Sequence, residues 1–267
     1  AKHPQTKGSD TVIIDAKDVY SYSDGSTVYY YDGATSSFYS LDEKGERVPV
    51  AIEDLAIAFG SYGDRDALLS PNSGTITWQV EISSSGRYAI ELEYYPLGES
   101  TSMIERMFYL DGKVPFSQAR YLSLSKVWEY DYPRDADGNI TFKEDINGNQ
   151  LKPVSRTAAE WMHYSFTAAD GFYQEPFEIY FDNETNKTGS THTISLAATR
   201  EAMALKSIRI YPYEGLPTYA EVLESYRAAG YRAAALDSYF RMEAETPSRV
   251  SDTSVYMAND RTSAITS

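Results

Sequence analysis

The alternation of apolar and polar residues between Thr75 and Tyr94 constrains the fold of this chain most strongly. The apolar members of this pattern are Ile76, Trp78, Val80, Ile82, Tyr88, Ile90, Leu92 and Tyr94. A period of two residues indicates strands that bury one face. A third apolar run, Met107–Leu110, ends in Asp111–Gly112, a dipeptide typical of tight hairpin turns. Three successive strands joined by short polar connections predict an all-β protein, an antiparallel β-sandwich.

Further strands are predicted on both sides of this stretch, and a helix follows the last of them. The predicted strands cover Thr11–Ala16, Phe177–Phe181, His192–Thr199 and Leu205–Tyr211. The helix is predicted over Thr218–Ala229, because Thr218 and Glu221 fit a capping box and Gly230 stands where a C′ glycine belongs. Its apolar stripe consists of Tyr219, Val222, Leu223 and Tyr226.

The end of the chain repeats the features of its beginning. Without gaps, Asp15–Ala16 aligns with Glu243–Ala244, and Ser23 with Ser251. We interpret this as the opening of a second, similar module. The predicted organisation is therefore an N-terminal linker (1–10), a β-sandwich module (11–215), a helical connector (216–236) and the truncated start of a second module (237–267).

Charge and composition exclude several classes of function. The net charge is −15, which disfavours nucleic acid and anionic membrane surfaces because both require clustered Lys and Arg. There is no cysteine, and hence neither a disulfide nor a thiol nucleophile. No apolar run reaches the length of a transmembrane helix, so we expect no membrane insertion by this segment.

A long polar stretch between residues 113 and 160 interrupts the strand pattern. Excursions of this length in a compact domain are usually functional or mobile. Two tryptophans flank it, and sugar recognition needs flat apolar rings together with planar polar groups. The predicted carbohydrate-binding residues are Trp128, Trp161, Arg120, Tyr121 and Arg156. The alternative is that both tryptophans anchor the excursion against the sandwich.

The run of three tyrosines at residues 29–31 is a second candidate platform, although core packing is expected for at least one of them. Asp135–Asn139 imitates the start of a calcium loop, but it lacks the glycine and the final carboxylate of that motif, which favours a plain turn. His163 beside Glu160 could form a general-base pair, with a surface histidine as the alternative. No nucleophile elbow or phosphate loop is present, so we expect no enzymatic activity.

Several of these pieces resemble carbohydrate-binding modules of families 6 and 35, which have a galactose-binding-like jelly roll. The similar pieces are IIDAKD, repeated as FRMEAE, the stretch GTITWQVEISSSGRYAIELEY, YLDGK and KSIRIYP. The resemblance implies a sugar-binding, non-catalytic fold. It also implies a structural calcium held by an acid of the first strand, here Asp15 or Asp18, and an acid of the closing strand. In this chain Lys206–Ser207 occupies the second place, so the motif is incomplete. No cofactor is therefore predicted, and a structural calcium stays open as the alternative.

A closer resemblance is to the N-terminal region of large bacterial extracellular solute-binding proteins of family 1. It includes IERMFYLDGKVPFSQARYLSLSKVW, GNQLKP and LPTYAEVLESYRAAGY. The resemblance implies an extracellular, cell-surface location with a lipid anchor in the parent protein, and an ABC sugar permease as a partner.

Together these observations predict a non-catalytic carbohydrate-binding domain that takes oligosaccharide or polysaccharide and belongs to a sugar-uptake protein. Two alternatives stay open. One is a structural spacer without a ligand, and the other is an accessory domain of a polysaccharide-degrading enzyme.

Overall fold

The computed structural model describes residues 6–169, 175–235, 237–241 and 247–256. The strands of the first half are β1 (Val12–Asp15), β2 (Ser21–Ser23), β3 (Val28–Asp32), β4 (Ser37–Leu41), β5 (Arg47–Val50), β6 (Ala58–Tyr62), β7 (Arg65–Ser70), β8 (Thr75–Glu81) and β9 (Gly86–Pro96). The remaining elements are β10 (Ile104–Leu110), β11 (Leu122–Leu124), β12 (Trp128–Asp131), β13 (Val154–Thr157), β14 (Met162–Ser165), β15 (Ile179–Phe181), β16 (Thr191–Arg200), β17 (Met203–Pro212) and the helix α1 (Tyr219–Ala228). Short 3-10 helices cover Ile52–Asp54 and Ser117–Arg120.

The chain forms two compact units. The first contains Ala1–Gly98, Ser102–Leu124 and Ala159–Leu216, and the second contains Glu99–Thr101, Ser125–Ala158 and Pro217–Ser267. Unit 1 carries both large sheets, and unit 2 carries the ribbon formed by β12 and β13 together with the helix.

Unit 1 is an antiparallel β-sandwich, as the alternation predicts. One sheet has seven strands and follows the order β14-β9-β17-β7-β6, with β15 also paired to β9 and β1 to β17. The other has eight strands in the order β11-β10-β16-β8-β2-β3-β4-β5. In the eight-stranded sheet β16 lies between β10 and β8, and in the seven-stranded sheet β17 lies between β9 and β7. This winding of the chain between two sheets is that of a jelly roll.

The core of unit 1 includes the apolar residues that the alternation of β8 and β9 places on one face. Ile76, Trp78, Val80, Tyr88 and Ile90 are all buried in it. However, β8 and β9 do not form a hairpin with each other, because β8 belongs to the eight-stranded sheet and β9 to the seven-stranded one. The residues between them carry the chain across the sandwich. Both apolar faces therefore meet in the core instead of lying side by side in one sheet.

One predicted turn is confirmed, and one predicted loop contains a strand. Asp111 and Gly112 have φ values of 50° and 71°, and Leu110 and Lys113 close the predicted tight turn. By contrast, the sequence of residues 64–72 predicts a loop, but this stretch contains β7. Pairing with β17 and β6 supplies the hydrogen bonds that make it a strand, and this partner is invisible in the local sequence.

Gly74 occupies a position that only glycine can fill, at the start of β8. Its φ is +89°, and a Cβ there would lie 2.7 Å from the Ser23 carbonyl oxygen and 2.7 Å from the Tyr22 ring. Gly74→Ala should lower the free energy of unfolding by about 3 kcal/mol, because backbone strain and overpacking add. Gly25 is the matched control, since its φ is +100° and its Cβ would meet nothing within 4 Å. Urea denaturation of both variants checks this, and equal losses would contradict a steric contribution at Gly74.

The helix α1 begins and ends where the sequence predicts. The Thr218 hydroxyl accepts from the Glu221 backbone N–H, the Thr218 backbone N–H donates to the Glu221 carboxylate, and Gly230 has a φ of +85°. None of the helix residues is buried, and Tyr226 of the predicted apolar stripe is 56% exposed. No helix in the described ranges is both long and apolar enough to span a membrane.

Unit 2 is built around the β12–β13 ribbon and two similar turns. In the first turn the Asp135 carboxylate accepts the backbone N–H groups of Asp137 and Asn139, and in the second Asp145 does the same for Asn147 and Asn149. These hydrogen bonds, chiefly the backbone one from Asn139, lower the pKa of Asp135. A backbone hydrogen bond from the Asp135 N–H to the Asn139 carbonyl closes the stretch that imitates a calcium loop into a turn. Residues 242–246, which contain most of the second acidic-Ala strand, lie outside the described residues.

Candidate functional site

Trp161 lies on the outer face of the seven-stranded sheet, immediately before β14. In β14, Met162 pairs with Tyr94 of β9 and His163 pairs with Glu93. This register continues to Trp161 and Tyr95, whose ring centroids are 5.4 Å apart with planes inclined at 60°. Tyr94 points into the core, so Tyr95 and Trp161 face outward. Strand pairing thus places two partly exposed aromatic rings next to each other on the sheet surface.

Two polar side chains complete this group. The Arg65 guanidinium lies 5.6 Å from the centre of the Trp161 ring and forms an ion pair with Glu93. The Ser207 hydroxyl of β17 donates to the second oxygen of Glu93 at 3.1 Å. We call Arg65, Glu93, Tyr95, Trp161 and Ser207 the Trp161 patch. Its one cation and one anion neutralise each other.

The β6–β7 turn approaches the same patch. A Cβ on Gly63 would lie 3.2 Å from the Tyr95 ring and 3.5 Å from Trp161 Nε1, and φ at Gly63 is +59°. The Trp161 indole N–H is buried without a hydrogen-bond partner. An unpaired buried donor is uncommon in proteins, so the structure tolerates this N–H at a cost in stability.

The Trp161 patch combines the groups that sugar recognition uses. Aromatic faces pack against the C–H face of a pyranose, and a guanidinium and a carboxylate can each bind two hydroxyls in one plane. Next to the patch, the Glu91 carboxylate lies 3.5 Å from His163 Nδ1 and 3.8 Å from an Arg209 nitrogen. Charges in this region therefore occur in pairs, which suits a neutral ligand.

The other predicted residues lie elsewhere. Arg120 ends a 3-10 helix and Tyr121 follows it, beside β11 of the eight-stranded sheet. Both are exposed, and the Tyr121 hydroxyl donates to Glu105 at 3.2 Å. They are on the other sheet from Trp161, so the structure does not bring them together with it.

Trp128 and Arg156 belong to unit 2. Trp128 is only 5% exposed and packs with Tyr130 and Val250, while Arg156 forms an ion pair with Glu129 at 2.7 Å. The Trp128 ring is thus packed inside unit 2, whereas the alternative left open by the sequence has both tryptophans anchoring the excursion against the sandwich. A buried ring cannot present its face to a sugar, and Trp128 is not part of the Trp161 patch.

Sequence reasoning missed Arg65, Glu93, Tyr95 and Ser207. A signal for two of them existed, because Glu91, Glu93 and Tyr95 alternate with the buried residues of β9 and must share its outer face. The contribution of Arg65 was not visible, because the stretch was interpreted as a loop and the register of β14 on β9 is a tertiary property.

No described residues combine the ligands that calcium would need at the first strand. Asp15 pairs with Ser207 across β1 and β17, and Lys206 Nζ lies 3.4 Å from the Asp15 carboxylate. An ammonium group therefore supplies the positive charge beside this acid, and the closing strand offers no second carboxylate. Within the described residues no group of three or more His, Asp or Glu side chains is arranged to hold a metal. These residues do not fit the calcium site that the resemblance implies.

The buried histidine of unit 1 has a structural environment. His192 Nδ1 lies 2.8 Å from the Asp111 carboxylate, and Nε2 lies 3.0 Å from the Asn183 side-chain oxygen. The imidazole is almost completely buried, so no substrate can reach it. The other described histidine, His163, is exposed and faces Glu91, a geometry that positions no nucleophile.

No protein-family model matches the sequence, and the curated proteins contain no significant match. Among solved structures, similarity is found to a family 35 carbohydrate-binding module from Clostridium thermocellum, with a TM-score of 0.38, 11% identity and coverage of 76% of this chain and 98% of that one. A second is the C-terminal family 6 module of a marine laminarinase from Zobellia galactanivorans (TM-score 0.32, 10% identity, 76% and 99% coverage). A third is a family 35 module from Cellvibrio japonicus (TM-score 0.34, 11% identity, 78% and 96% coverage). Likenesses of this size establish neither a family nor a function.

Proposed function

We propose that this chain is a non-catalytic carbohydrate-binding domain that takes a neutral oligosaccharide or polysaccharide at the Trp161 patch. The observation that supports this most directly is the juxtaposition of the Trp161 and Tyr95 rings with the Arg65–Glu93 pair. A pyranose offers an apolar face and a rim of hydroxyls, and this patch offers rings beside a fork of donors and acceptors.

Charge supports a neutral ligand over an acidic one. The chain carries a net charge of −15, and the Arg65, Arg209 and Lys206 cations are each near a carboxylate. A polyuronate would meet general repulsion without an unpaired cation at the patch to compensate it. We therefore expect neutral polysaccharides to bind and polygalacturonate not to bind.

The parent protein belongs to the same proposal. The resemblance of IERMFYLDGK and LPTYAEVLESYRAAGY to the N-terminal region of family 1 solute-binding proteins supports an extracellular, lipid-anchored protein that works with an ABC sugar permease. In that setting the domain would hold glycan close to the uptake machinery without cleaving it.

The test is calorimetric titration and affinity electrophoresis with soluble xylan, mannan and mixed-linkage β-glucan, using polygalacturonate as the anionic control. Trp161→Ala should weaken binding at least about 10-fold, since aromatic hot-spot residues contribute on the order of 1.4 kcal/mol or more. Arg65→Ala should also weaken polysaccharide binding, although this variant keeps both aromatic rings of the patch.

Tyr226→Ala is the matched control, because it removes an exposed ring from α1 in unit 2 and should leave the affinity unchanged. Circular dichroism verifies that each variant is folded. If none of these polysaccharides binds at millimolar sugar, the spacer alternative replaces this proposal. If binding persists unchanged in Trp161→Ala, the site is elsewhere.

A further inference from the structure

A second set of aromatic rings lies on the outer face of the eight-stranded sheet of unit 1. The strand registers place six residues side by side, in one row perpendicular to the strands: Tyr39, Tyr30, Ser21, Thr77, Ser195 and Tyr109. Each is adjacent in sequence to a residue of the core, such as Trp78 next to Thr77 and Phe108 next to Tyr109. Because side chains alternate along a strand, the whole row faces outward.

The rings form a strip at one end of this row. Tyr30 and Tyr39 are stacked, with centroids 5.6 Å apart and planes inclined at 26°, and Tyr20 packs edge-on against Tyr30 at 5.8 Å. Of the three consecutive tyrosines, only Tyr30 belongs to this surface. Tyr29 and Tyr31 point to the other side, where Tyr31 contacts Phe38.

Small hydroxyl side chains form the middle of the row. Ser21 and Ser195 are each only 8% exposed, and the Thr77 and Ser195 hydroxyls are hydrogen-bonded at 2.8 Å. Tyr109 is the next residue beyond Ser195. The small side chains therefore lie between larger rings, and we call the six residues of the row together with Tyr20 the tyrosine trough.

One ion pair lies beside Tyr39, at one end of the trough. The Arg47 guanidinium lies 4.3 Å from the centre of the Tyr39 ring and is hydrogen-bonded to Asp32 at 3.0 Å. The guanidinium is thus paired with a carboxylate, so an anionic ligand gains little there. The aromatic faces and the planar donor–acceptor pair suit a neutral polyol with apolar C–H faces.

We propose that the tyrosine trough is a second binding face for a neutral polysaccharide chain, on the sheet opposite the Trp161 patch. Neighbouring strands are about 4.8 Å apart, so a chain lying along the row meets a new strand at intervals comparable with one pyranose unit. This inference rests on the proposed function and adds to it that the domain is bivalent. Two faces on opposite sheets would let one molecule bridge two chains, which raises avidity without new contacts.

The test uses the full chain with hexasaccharides and soluble polymers of xylan, mannan and β-glucan. Calorimetric stoichiometry should be two for the wild type, one for Trp161→Ala, one for Tyr39→Ala and zero for the double variant. Affinity for the soluble polymer should fall at least about 10-fold in either single variant, because each loses the avidity of the pair. Leu41→Ala is the matched control, since Leu41 is exposed at the end of β4 and outside the row.

The possible outcomes test the trough and the Trp161 patch independently. A stoichiometry of one in the wild type that Tyr39→Ala leaves unchanged overturns the trough but not the proposed function. Absence of binding by the wild type overturns both the trough and the proposed function. Self-association of the wild type that Tyr39→Ala abolishes without an effect on sugar binding would show a protein-binding surface and overturn the inference. Should Tyr39→Ala fail to fold, Tyr109→Ala at the other end of the row provides the same measurement.

Discussion

Replacing Arg106 by methionine is expected to lower the free energy of unfolding by about 3–5 kcal/mol. Arg106 is completely buried, and its guanidinium donates to the backbone carbonyl groups of Glu105, Arg200, Glu201, Ser70 and Pro71. One side chain therefore joins the end of β7, the β16–β17 connection and β10. Methionine fills similar space but leaves these carbonyl groups without that donor.

An opposing effect has to be weighed. Burial lowers the pKa of Arg106 to about 10, so the charged form has a desolvation cost, although the group is still protonated at pH 7. Apolar replacements of buried charges can be neutral or even stabilising when the partners are also removed. Here the partners are backbone carbonyls that no single substitution removes, and for this reason we expect a net loss.

Urea denaturation at pH 7, followed by circular dichroism, measures this effect. Arg106→Lys is the informative companion variant. Lysine keeps the positive charge, but it lacks the planar guanidinium that donates to two separate groups of carbonyls at once. We expect Arg106→Lys to be less stable than the wild type and more stable than Arg106→Met. A methionine variant as stable as the wild type would show that desolvation outweighs the hydrogen bonds.

The alternation of residues in β10 already predicts that Arg106 is buried, although the sequence analysis did not use it. Ile104, Arg106 and Phe108 alternate, so the period of two already places an arginine on the buried face of β10. Its acceptors come from two connections that are distant in sequence. The pattern therefore gives the position of this residue in the core, but it cannot show that the charge is satisfied there.

The tryptophans mark the limit of sequence reasoning more generally. Alternation correctly assigns Trp78 to the core, because the strand around it is regular. Trp128 lies in a polar stretch without such a pattern, and its burial depends on Val250, which pairs with it from the far end of the chain. The Trp161 patch likewise depends on the register of β14 and on the approach of Arg65. Strand pairing over long sequence separations decides these surfaces, and a single sequence does not reveal it.

Replacing Trp78 by alanine should be at least as damaging as the loss of Arg106, at about 3–5 kcal/mol. Trp78 is fully buried in the eight-stranded sheet, and its indole N–H donates at 2.9 Å to the carbonyl of Ala16, which follows β1 of the opposite sheet. The side chain thus fills the core and links the two layers of the sandwich. Alanine would leave a cavity and an unpaired carbonyl group.

Two further variants separate the contributions of volume and hydrogen bonding at Trp78. Trp78→Phe keeps most of the apolar ring and removes the N–H, so its loss should approach about 1–3 kcal/mol, the cost of one unsatisfied buried group. Trp161→Ala removes an indole of the same size from a partly exposed position and should cost clearly less than Trp78→Ala. Thermal and urea unfolding of the three variants rank them by their loss in free energy of unfolding.

Equal destabilisation by Trp78→Ala and Trp78→Phe would assign the effect to the hydrogen bond. Equal destabilisation by Trp78→Ala and Trp161→Ala would contradict the central position of Trp78 between the sheets.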